Sequence, residues 1–128
     1  MRAIKVDALT KQVYEVNINE ADQLKSLQSL VGCDTIDIVS LTNSRGIDLV
    51  IDDEGLCHDP KPDGFCFVPG FARHPGPFAG NGLLVSHDLE GELKDLLPIL
   101  TVEDVQRNVQ WFAGAGLPEP SLEFYPMP

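Results

Sequence analysis

A stretch rich in glycine and proline in the middle of the chain limits what the protein can fold into. Residues 56–82 contain five prolines, five glycines and four phenylalanines. Proline removes a backbone donor and glycine favours turns, so little regular structure is expected there beyond a short strand near residues 64–68. The phenylalanines carry too much apolar surface to be left in water. We therefore predict an ordered insert that its aromatic rings fix to the rest of the domain.

Alternating apolar and polar residues on both sides of this insert predict β-strands. Two pairs of alternating segments precede the insert, each joined by a short turn, and one pair follows it. The segments are residues 2–7 and 12–18, 35–42 and 47–51, and 83–87 and 92–96. Each pair predicts a hairpin. The alternation of the second pair predicts strands that are buried on one face, whereas the apolar run at residues 83–87 predicts a buried strand.

Two further segments have the start signals and the apolar spacing of helices. The first covers residues 20–31, with acidic residues in its first turn and Gly32 as its C-terminal stop. The second begins at Thr101, in an approximate capping box with Asp104, and carries apolar residues on one face as far as Phe112. We predict one helix before the second hairpin and one near the end of the domain.

These elements predict an α+β fold in the order β-β-α-β-β-insert-β-β-α. Runs of strands with few helices are typical of a mostly antiparallel sheet with the two helices packed on one face. At 128 residues we expect a single domain, over residues 1–117, with the ordered insert at 56–82. The proline-rich residues 118–128 predict an extended tail, which either packs back on the domain or docks on a second copy to form a homo-oligomer.

The acidic charge of the chain is concentrated in its middle. The formal net charge is −11, and residues 46–104 hold twelve acidic and three basic residues, a net charge of −9. Such a field repels nucleic-acid phosphates and anionic lipid headgroups and attracts basic protein surfaces. We expect a protein partner with a basic surface, no direct nucleic-acid binding and no membrane binding. The alternative is that the charge only keeps the protein soluble.

The candidate partner-binding residues combine these acids with the tip of the insert. Arg73 and His74 form a basic spot within the acidic segment, and arginine beside aromatic residues is the composition of binding hot spots. The alternative is that Arg73 only neutralises its acidic neighbours. The predicted set is Asp48, Asp52, Asp53, Glu54, Asp59, Asp63, Phe71, Arg73, His74 and Phe78.

The residue patterns do not predict a metal site or a catalytic site. Cys57, His58, Cys66 and His74 have spacings unlike those of zinc-binding motifs, in which ligands come in closely spaced pairs. A reactive cysteine needs a helix N-terminus or a nearby cation, and neither is predicted at Cys57 or Cys66. We predict no cofactor, no metal, no catalytic residue and no enzyme activity. The alternative is a small-molecule or metal-binding domain, with enzyme activity not excluded, whose pocket lies under the insert at His58, His74 or Cys66.

The expected location is the cytoplasm. The N-terminal residues enter an alternating pattern directly, without the apolar segment of a signal peptide, and no apolar run approaches about 18 residues. Three cysteines are an odd number, which does not indicate a disulfide framework. Reduced thiols in a reducing compartment fit this count.

Several phrases resemble an uncharacterised domain-of-unknown-function family found in phage, plasmid and bacterial accessory genes. They are MRAIKVD, LQSLVG, TIDIV, LVIDDEG, NGLLVSHD and LKDLLPILTVEDVQRNV, in that order over roughly residues 1–112. The resemblance implies an accessory or mobile-element role, carries over no site residue, and is interrupted by the longer insert GFCFVPGFARHPGPFAG. With the acidic charge, we predict a small protein-binding accessory protein, in one version an inhibitor of a host nucleic-acid-binding or defence protein by acidic mimicry.

Overall fold

The computed structural model describes residues 1–41 and 46–117 of the chain. Within these ranges the chain forms nine β-strands and two α-helices, with short 3-10 turns between some of them. In chain order they are β1 (Arg2–Asp7), β2 (Gln12–Asn17), α1 (Gln23–Val31), β3 (Ile36–Ser40), β4 (Ile47–Asp52), β5 (Gly64–Phe67), β6 (Phe78–Ala79), β7 (Gly82–His87), β8 (Leu93–Lys94), α2 (Val102–Asn108) and β9 (Val109–Phe112).

The main sheet is built around β7. Its strand order is β2-β1-β7-β4-β3, and every pairing is antiparallel. β7 lies between the inner strands of two hairpins, so Leu84 faces Ile4 of β1 on one side and Leu49 of β4 on the other. The short strand β8 pairs with the last residues of β7, beyond the point where the pairing between β7 and β1 ends.

A second, smaller sheet is formed by the insert and the chain after α2. Its order is β6-β5-β9, again antiparallel, and Phe65 of β5 lies opposite both Phe78 of β6 and Trp111 of β9. Phe65, Phe67 and Phe78 are buried, and the Phe65 ring centroid lies 5.5 Å from that of Phe67 and 5.4 Å from that of Phe78. These aromatic rings join the insert to the main sheet.

The two faces of the main sheet bury separate apolar clusters. Leu27 and Val31 of α1 pack on one face with Val50. The second sheet and α2 cover the other face, where Phe65 and Val105 join the cluster. The predicted α+β class, a mostly antiparallel sheet with two helices, is confirmed. The prediction that both helices lie on one face is wrong, because the central strands are apolar on both sides and each side needs a cover.

The second predicted helix is shorter than its apolar spacing indicates. Its capping box between Thr101 and Asp104 is present, but α2 ends at Asn108 and the chain continues as β9. Val109 pairs with Phe67, and Trp111 pairs with Phe65. β-branched and aromatic residues favour strands, and the available edge of β5 satisfies their backbone groups, so the helix stops before them.

The helix predicted over residues 20–31 is present in two parts. Glu20–Asp22 forms a 3-10 turn, capped by the side chain of Asn19, and α1 follows it. Gly32 ends α1 in the left-handed conformation, with φ of 88°. In the described ranges, no helix combines the length and apolar character that a membrane crossing requires.

Two regions named in the predictions fall outside the described residues. They are the turn of the second hairpin at residues 42–45 and the C-terminal tail at residues 118–128. The prediction that the tail forms a homo-oligomer therefore concerns residues that the structure does not describe.

Candidate functional site

One end of the β3–β4 hairpin gathers exposed carboxylates, which we call the acidic end. The antiparallel register places Asp37 opposite Ile51, and the backbone N–H of Asp53 donates to the carbonyl of Thr35 at 3.0 Å. These pairings bring the start of β3 beside the end of β4. The acidic end consists of Asp34, Asp37, Asp53, Glu54 and Asp59, all exposed.

Asp52 anchors the loop that carries three of these carboxylates. Its Oδ1 accepts the backbone N–H of Glu54 at 2.9 Å, and its Oδ2 lies 2.7 Å from Nε2 of His58. The Asp52 side chain is 12% exposed and that of His58 is 51% exposed. The Asp52 carboxylate therefore faces inward and fixes the segment from Asp53 to Asp59, rather than being displayed to a partner.

Asp48, which sequence reasoning placed among the partner-binding residues, is directed to the interior. It is buried, and its Oδ2 lies 2.6 Å from Nδ1 of His87 on the neighbouring strand. A buried carboxylate needs such a partner, because leaving it unpaired would cost its full desolvation energy. The structure thus removes Asp48 from the candidate surface.

The basic tip of the insert lies at the opposite end of β3 from the acidic end. The backbone N–H of Arg73 donates to the carbonyl of Leu41 at 2.8 Å, whereas the acidic end is joined to Thr35. Leu41 follows Thr35 by six residues, and at a rise of about 3.3 Å per strand residue the two lie roughly 20 Å apart. Arg73 and His74 are exposed, but they lie away from the carboxylates of the acidic end; the predicted acid at their own end of the hairpin is Asp48, which pairs with Ser40.

The remaining residues of the predicted set have structural contacts. Phe78 is buried, and Phe71 is partly buried with its ring centroid 5.2 Å from that of Phe67. Asp63 is partly buried, and its Oδ1 accepts the backbone N–H of Gly114 at 3.0 Å. These three residues hold the insert in place, so the exposed predicted acids reduce to Asp53, Glu54 and Asp59.

Three grooves meet at His58, and two of them also include Asp52. The larger of these two, of about 600 Å³, lies between the end of α1 and the acidic end, and Lys25 is the one lysine or arginine among the described residues that line it. The smaller, of about 300 Å³, is more apolar and includes Leu9, Val31 and Pro62. The Asp52–His58 pair lies at the junction of the two. This arrangement offers carboxylates and one imidazole to a ligand on the acidic side and apolar contacts on the other.

Cys33, near the larger groove, and Cys66, in β5, are poor nucleophiles. Burial raises the pKa of the Cys33 thiol to about 11, with further contributions from the carboxylates of Asp52 and Asp34. Burial also raises the pKa of Cys66. Both thiols are therefore protonated at neutral pH, whereas nucleophilic catalysis requires the thiolate.

The residues considered for metal binding do not assemble into a site. In residues 1–41 and 46–117, no group of three or more histidine, cysteine, aspartate or glutamate side chains has an arrangement that could hold a metal ion. His58 is paired with Asp52, and His74 lies at the other end of β3.

Asp34 and Asp37 belong to the acidic end, although sequence reasoning did not select them. Asp37 is in the first half of a predicted strand, and Asp34 precedes that strand. The signal was available in the predicted hairpin, because pairing residues 35–42 with 47–51 places the start of one strand beside the end of the other. Selecting acids by sequence proximity alone left them out.

Comparison with known families adds one match. The family model described as "Domain of unknown function (DUF3846)" matches residues 1–109, which include both hairpins, the insert and all of α2. The chain belongs to this family. The predicted resemblance to an uncharacterised domain family is thereby confirmed, and the DUF3846 description assigns no activity that would give a role to any residue. No curated protein and no solved structure matches the chain.

Proposed function

We propose that this protein is a cytoplasmic protein-binding module that engages a basic surface of another protein through the acidic end. The observation that carries the proposal is the fixed placement of exposed carboxylates at the start of β3 and in the loop after β4. The β3–β4 hydrogen bonds and the Asp52–His58 pair hold this segment. Preorganised charges bind at a lower ordering cost than the same charges on a flexible chain.

The charge of the whole molecule supports the same conclusion. A net charge of −11 produces a long-range field that speeds encounter with a basic partner and opposes binding to nucleic acid. The larger groove lies beside the acidic end and is lined by Asp34 and Glu54. A lysine or arginine side chain from a partner can therefore enter this groove and pair with the carboxylates that line it.

The more specific form of the proposal is an accessory protein of a phage or mobile element. In that form the carboxylates imitate the phosphates of a nucleic acid and occupy the basic groove of a host nucleic-acid-binding or defence protein. The fixed spacing of carboxylates along the hairpin supports this form, because mimicry needs charges at set distances.

The experiment measures binding of a fluorescently labelled 16-residue lysine and arginine peptide by anisotropy. We expect affinity to fall steeply between about 50 mM and about 300 mM NaCl, because exposed charges are screened. The variant Asp53→Asn/Glu54→Gln/Asp59→Asn should lose at least about tenfold in affinity at the lower salt concentration. Binding that is indifferent to ionic strength would contradict the proposal.

A matched control separates the acidic end from net charge. The variant Glu90→Gln/Glu92→Gln/Glu103→Gln changes the net charge by the same amount at exposed residues elsewhere on the chain. We expect it to retain most of the affinity. An equal loss in both variants would mean that total charge, and not this surface, attracts the peptide.

A second candidate function is binding of a small molecule at His58. The observation that favours it is the position of the Asp52–His58 pair at the junction of grooves of about 600 and about 300 Å³. Thermal shift against a panel of nucleotides and divalent metals tests it, since a ligand stabilises the form that binds it. A shift lost in His58→Ala supports the candidate, and no shift with the wild-type protein argues against it.

A further inference from the structure

The outer edge of β3 has no partner strand in the described part of the chain. We propose that this edge accepts an extended, basic segment of the partner protein as an additional strand of the main sheet. The inference rests on the proposed function and deepens it, because it specifies the conformation and the sequence character of the segment that binds.

The hydrogen bonds of the hairpin show which backbone groups of β3 are available. The N–H of Leu41 donates to the carbonyl of Ile47 at 2.9 Å, and the carbonyl of Thr35 accepts from Asp53 at 3.0 Å. Odd-numbered residues therefore point their backbone groups toward β4. Successive residues of a strand alternate, so the N–H and C=O groups of Ile36, Ile38 and Ser40 point outward. These are the groups that strand addition uses.

The side chain of Asp37 covers one of these outward backbone groups, the N–H of Ile38. Its Oδ1 accepts the N–H of Ile38 at 2.9 Å. This contact hinders pairing with another strand at this edge, and charged side chains on edge strands commonly have this effect. A lysine or arginine of an incoming strand can pair with the Asp37 carboxylate and release the N–H of Ile38 to a backbone carbonyl. The edge therefore favours a basic strand over a neutral or acidic one.

The side chains at this edge indicate the sequence that fits it. Ile38 is 51% exposed and lies on the face of the sheet that carries α1, where Ile36 joins the apolar cluster. Asp37 is exposed on the opposite face, with Asp34 and Asp53 nearby at the acidic end. A segment that alternates apolar residues with lysine or arginine matches both faces.

The other edge of the main sheet is less accessible. α2 lies against β2, which is the outermost strand on that side. Glu15 of β2 also pairs with Arg2 of the neighbouring strand. Among the residues that the structure describes, β3 is therefore the edge of the main sheet at which unpaired backbone groups and uncompensated carboxylates occur together.

The test uses a synthetic ten-residue peptide that alternates valine or threonine with lysine or arginine. In amide hydrogen exchange of the full chain followed by NMR, we expect the amides of Ile36, Ile38 and Ser40 to gain at least about tenfold protection at saturating peptide. The amides of Asp37 and Val39 point toward β4 and should change little. The same peptide with glutamate at the basic positions should not bind.

A proline variant tests the edge directly. Ile38→Pro removes an outward N–H and no bond to β4, a position at which strands tolerate proline. We expect it to weaken peptide binding by at least about tenfold, the loss expected when backbone pairing is blocked. The matched control is Asn17→Pro on β2. The bonds between Ile18 and Met1 place the N–H of Asn17 outward at the opposite edge, so binding should be unaffected.

The outcomes separate the inference from the function on which it rests. Salt-dependent binding that leaves the three outward amides unprotected would overturn strand addition and leave the acidic end as a binding surface. Equal binding by a folded Ile38→Pro variant would do the same. If that variant does not fold, amide protection in the wild-type protein decides the question alone. If the wild-type protein binds the 16-residue basic peptide but not the ten-residue alternating peptide, strand addition is overturned alone; if it binds neither peptide, both proposals are overturned.

Discussion

Asp7 shows how one carboxylate fixes the first hairpin. Its Oδ1 accepts the backbone N–H groups of Leu9 and Thr10 at 3.1 and 3.2 Å, and its Oδ2 accepts the hydroxyl of Tyr14 at 3.0 Å. Burial alone would raise the pKa of Asp7. The hydrogen bonds from Thr10 and Tyr14 and the charge of Lys5 outweigh burial, and the pKa is lowered on balance. The ionised form is therefore part of the folded turn.

We predict that Asp7→Asn destabilises the protein in a pH-dependent way. Because the folded pKa lies below that of an unperturbed aspartate, the ionised carboxylate contributes stability above the unfolded pKa, and this contribution is lost as pH falls through the folded pKa. The expected cost is about 1–3 kcal/mol at neutral pH and shrinks as pH falls through the folded pKa. Urea unfolding at neutral and at acidic pH measures it.

The control for Asp7 is Asp22→Asn, since Asp22 is exposed and makes no side-chain cap hydrogen bond. It should change stability by less than about 0.5 kcal/mol at both pH values. An Asp7→Asn cost that is equal at neutral and acidic pH would contradict the assigned role of the ionised group.

Gly82 permits the close approach of the two sheets. A Cβ at this position would lie 2.6 Å from Cζ of Phe65 and 3.0 Å from Cδ1 of Leu49. Both side chains are fully buried, so neither can move aside. We predict that Gly82→Ala lowers the free energy of unfolding by about 1–3 kcal/mol in urea denaturation. Gly116→Ala, where a Cβ would meet nothing within 4 Å, should be nearly neutral.

The inward carboxylates mark a limit of sequence reasoning. The sequence pattern does not distinguish Asp48 and Asp52 from the exposed acids around them, because an acid in an alternating strand normally faces the solvent. Their orientation depends on His87, 39 positions away, and on His58 in the insert. A pairing of this kind forms only after the strands have assembled. Sequence could indicate an acidic segment, but not which of its acids face outward.

The elements set by local patterns were predicted well. β1 has the predicted bounds, and the two hairpins that flank β7 follow from alternation and turn residues. β6 and β9 were not predicted. β6 has only two residues and exists through its pairing with β5, and β9 continues an apolar spacing that also suits a helix. Both depend on partners that are distant in the sequence.

We predict that Thr101→Ala destabilises the protein by about 1 kcal/mol. The hydroxyl of Thr101 accepts the backbone N–H of Asp104 at 3.1 Å, and the Asp104 carboxylate accepts the backbone N–H of Thr101 at 3.3 Å. Alanine removes one half of this reciprocal cap from a helix of only seven residues. Thermal unfolding should show the loss, whereas Thr101→Ser should be close to wild type. An unchanged midpoint for the alanine variant would show that packing of Val105 alone holds α2.

The acidity of the whole molecule should oppose its own folding. With a net charge of −11, the compact state carries more mutual repulsion than the extended chain, and salt screens it. We predict that the melting temperature rises by about 2–5 °C between about 20 mM and about 300 mM NaCl, measured by calorimetry. The Asp53→Asn/Glu54→Gln/Asp59→Asn variant should melt higher at low salt and respond less. A melting temperature that falls with salt would indicate that attractive ion pairs dominate.

The central position of β7 has a consequence during synthesis. The first two hairpins are complete by Asp52, but the strand that both need follows the insert and ends at His87. While the ribosome adds those residues, β1 and β4 each leave an open side, a state that invites pairing with other nascent chains. We expect the sheet to close only after β7 has been synthesised, because this single strand joins the β1–β2 hairpin to the β3–β4 hairpin.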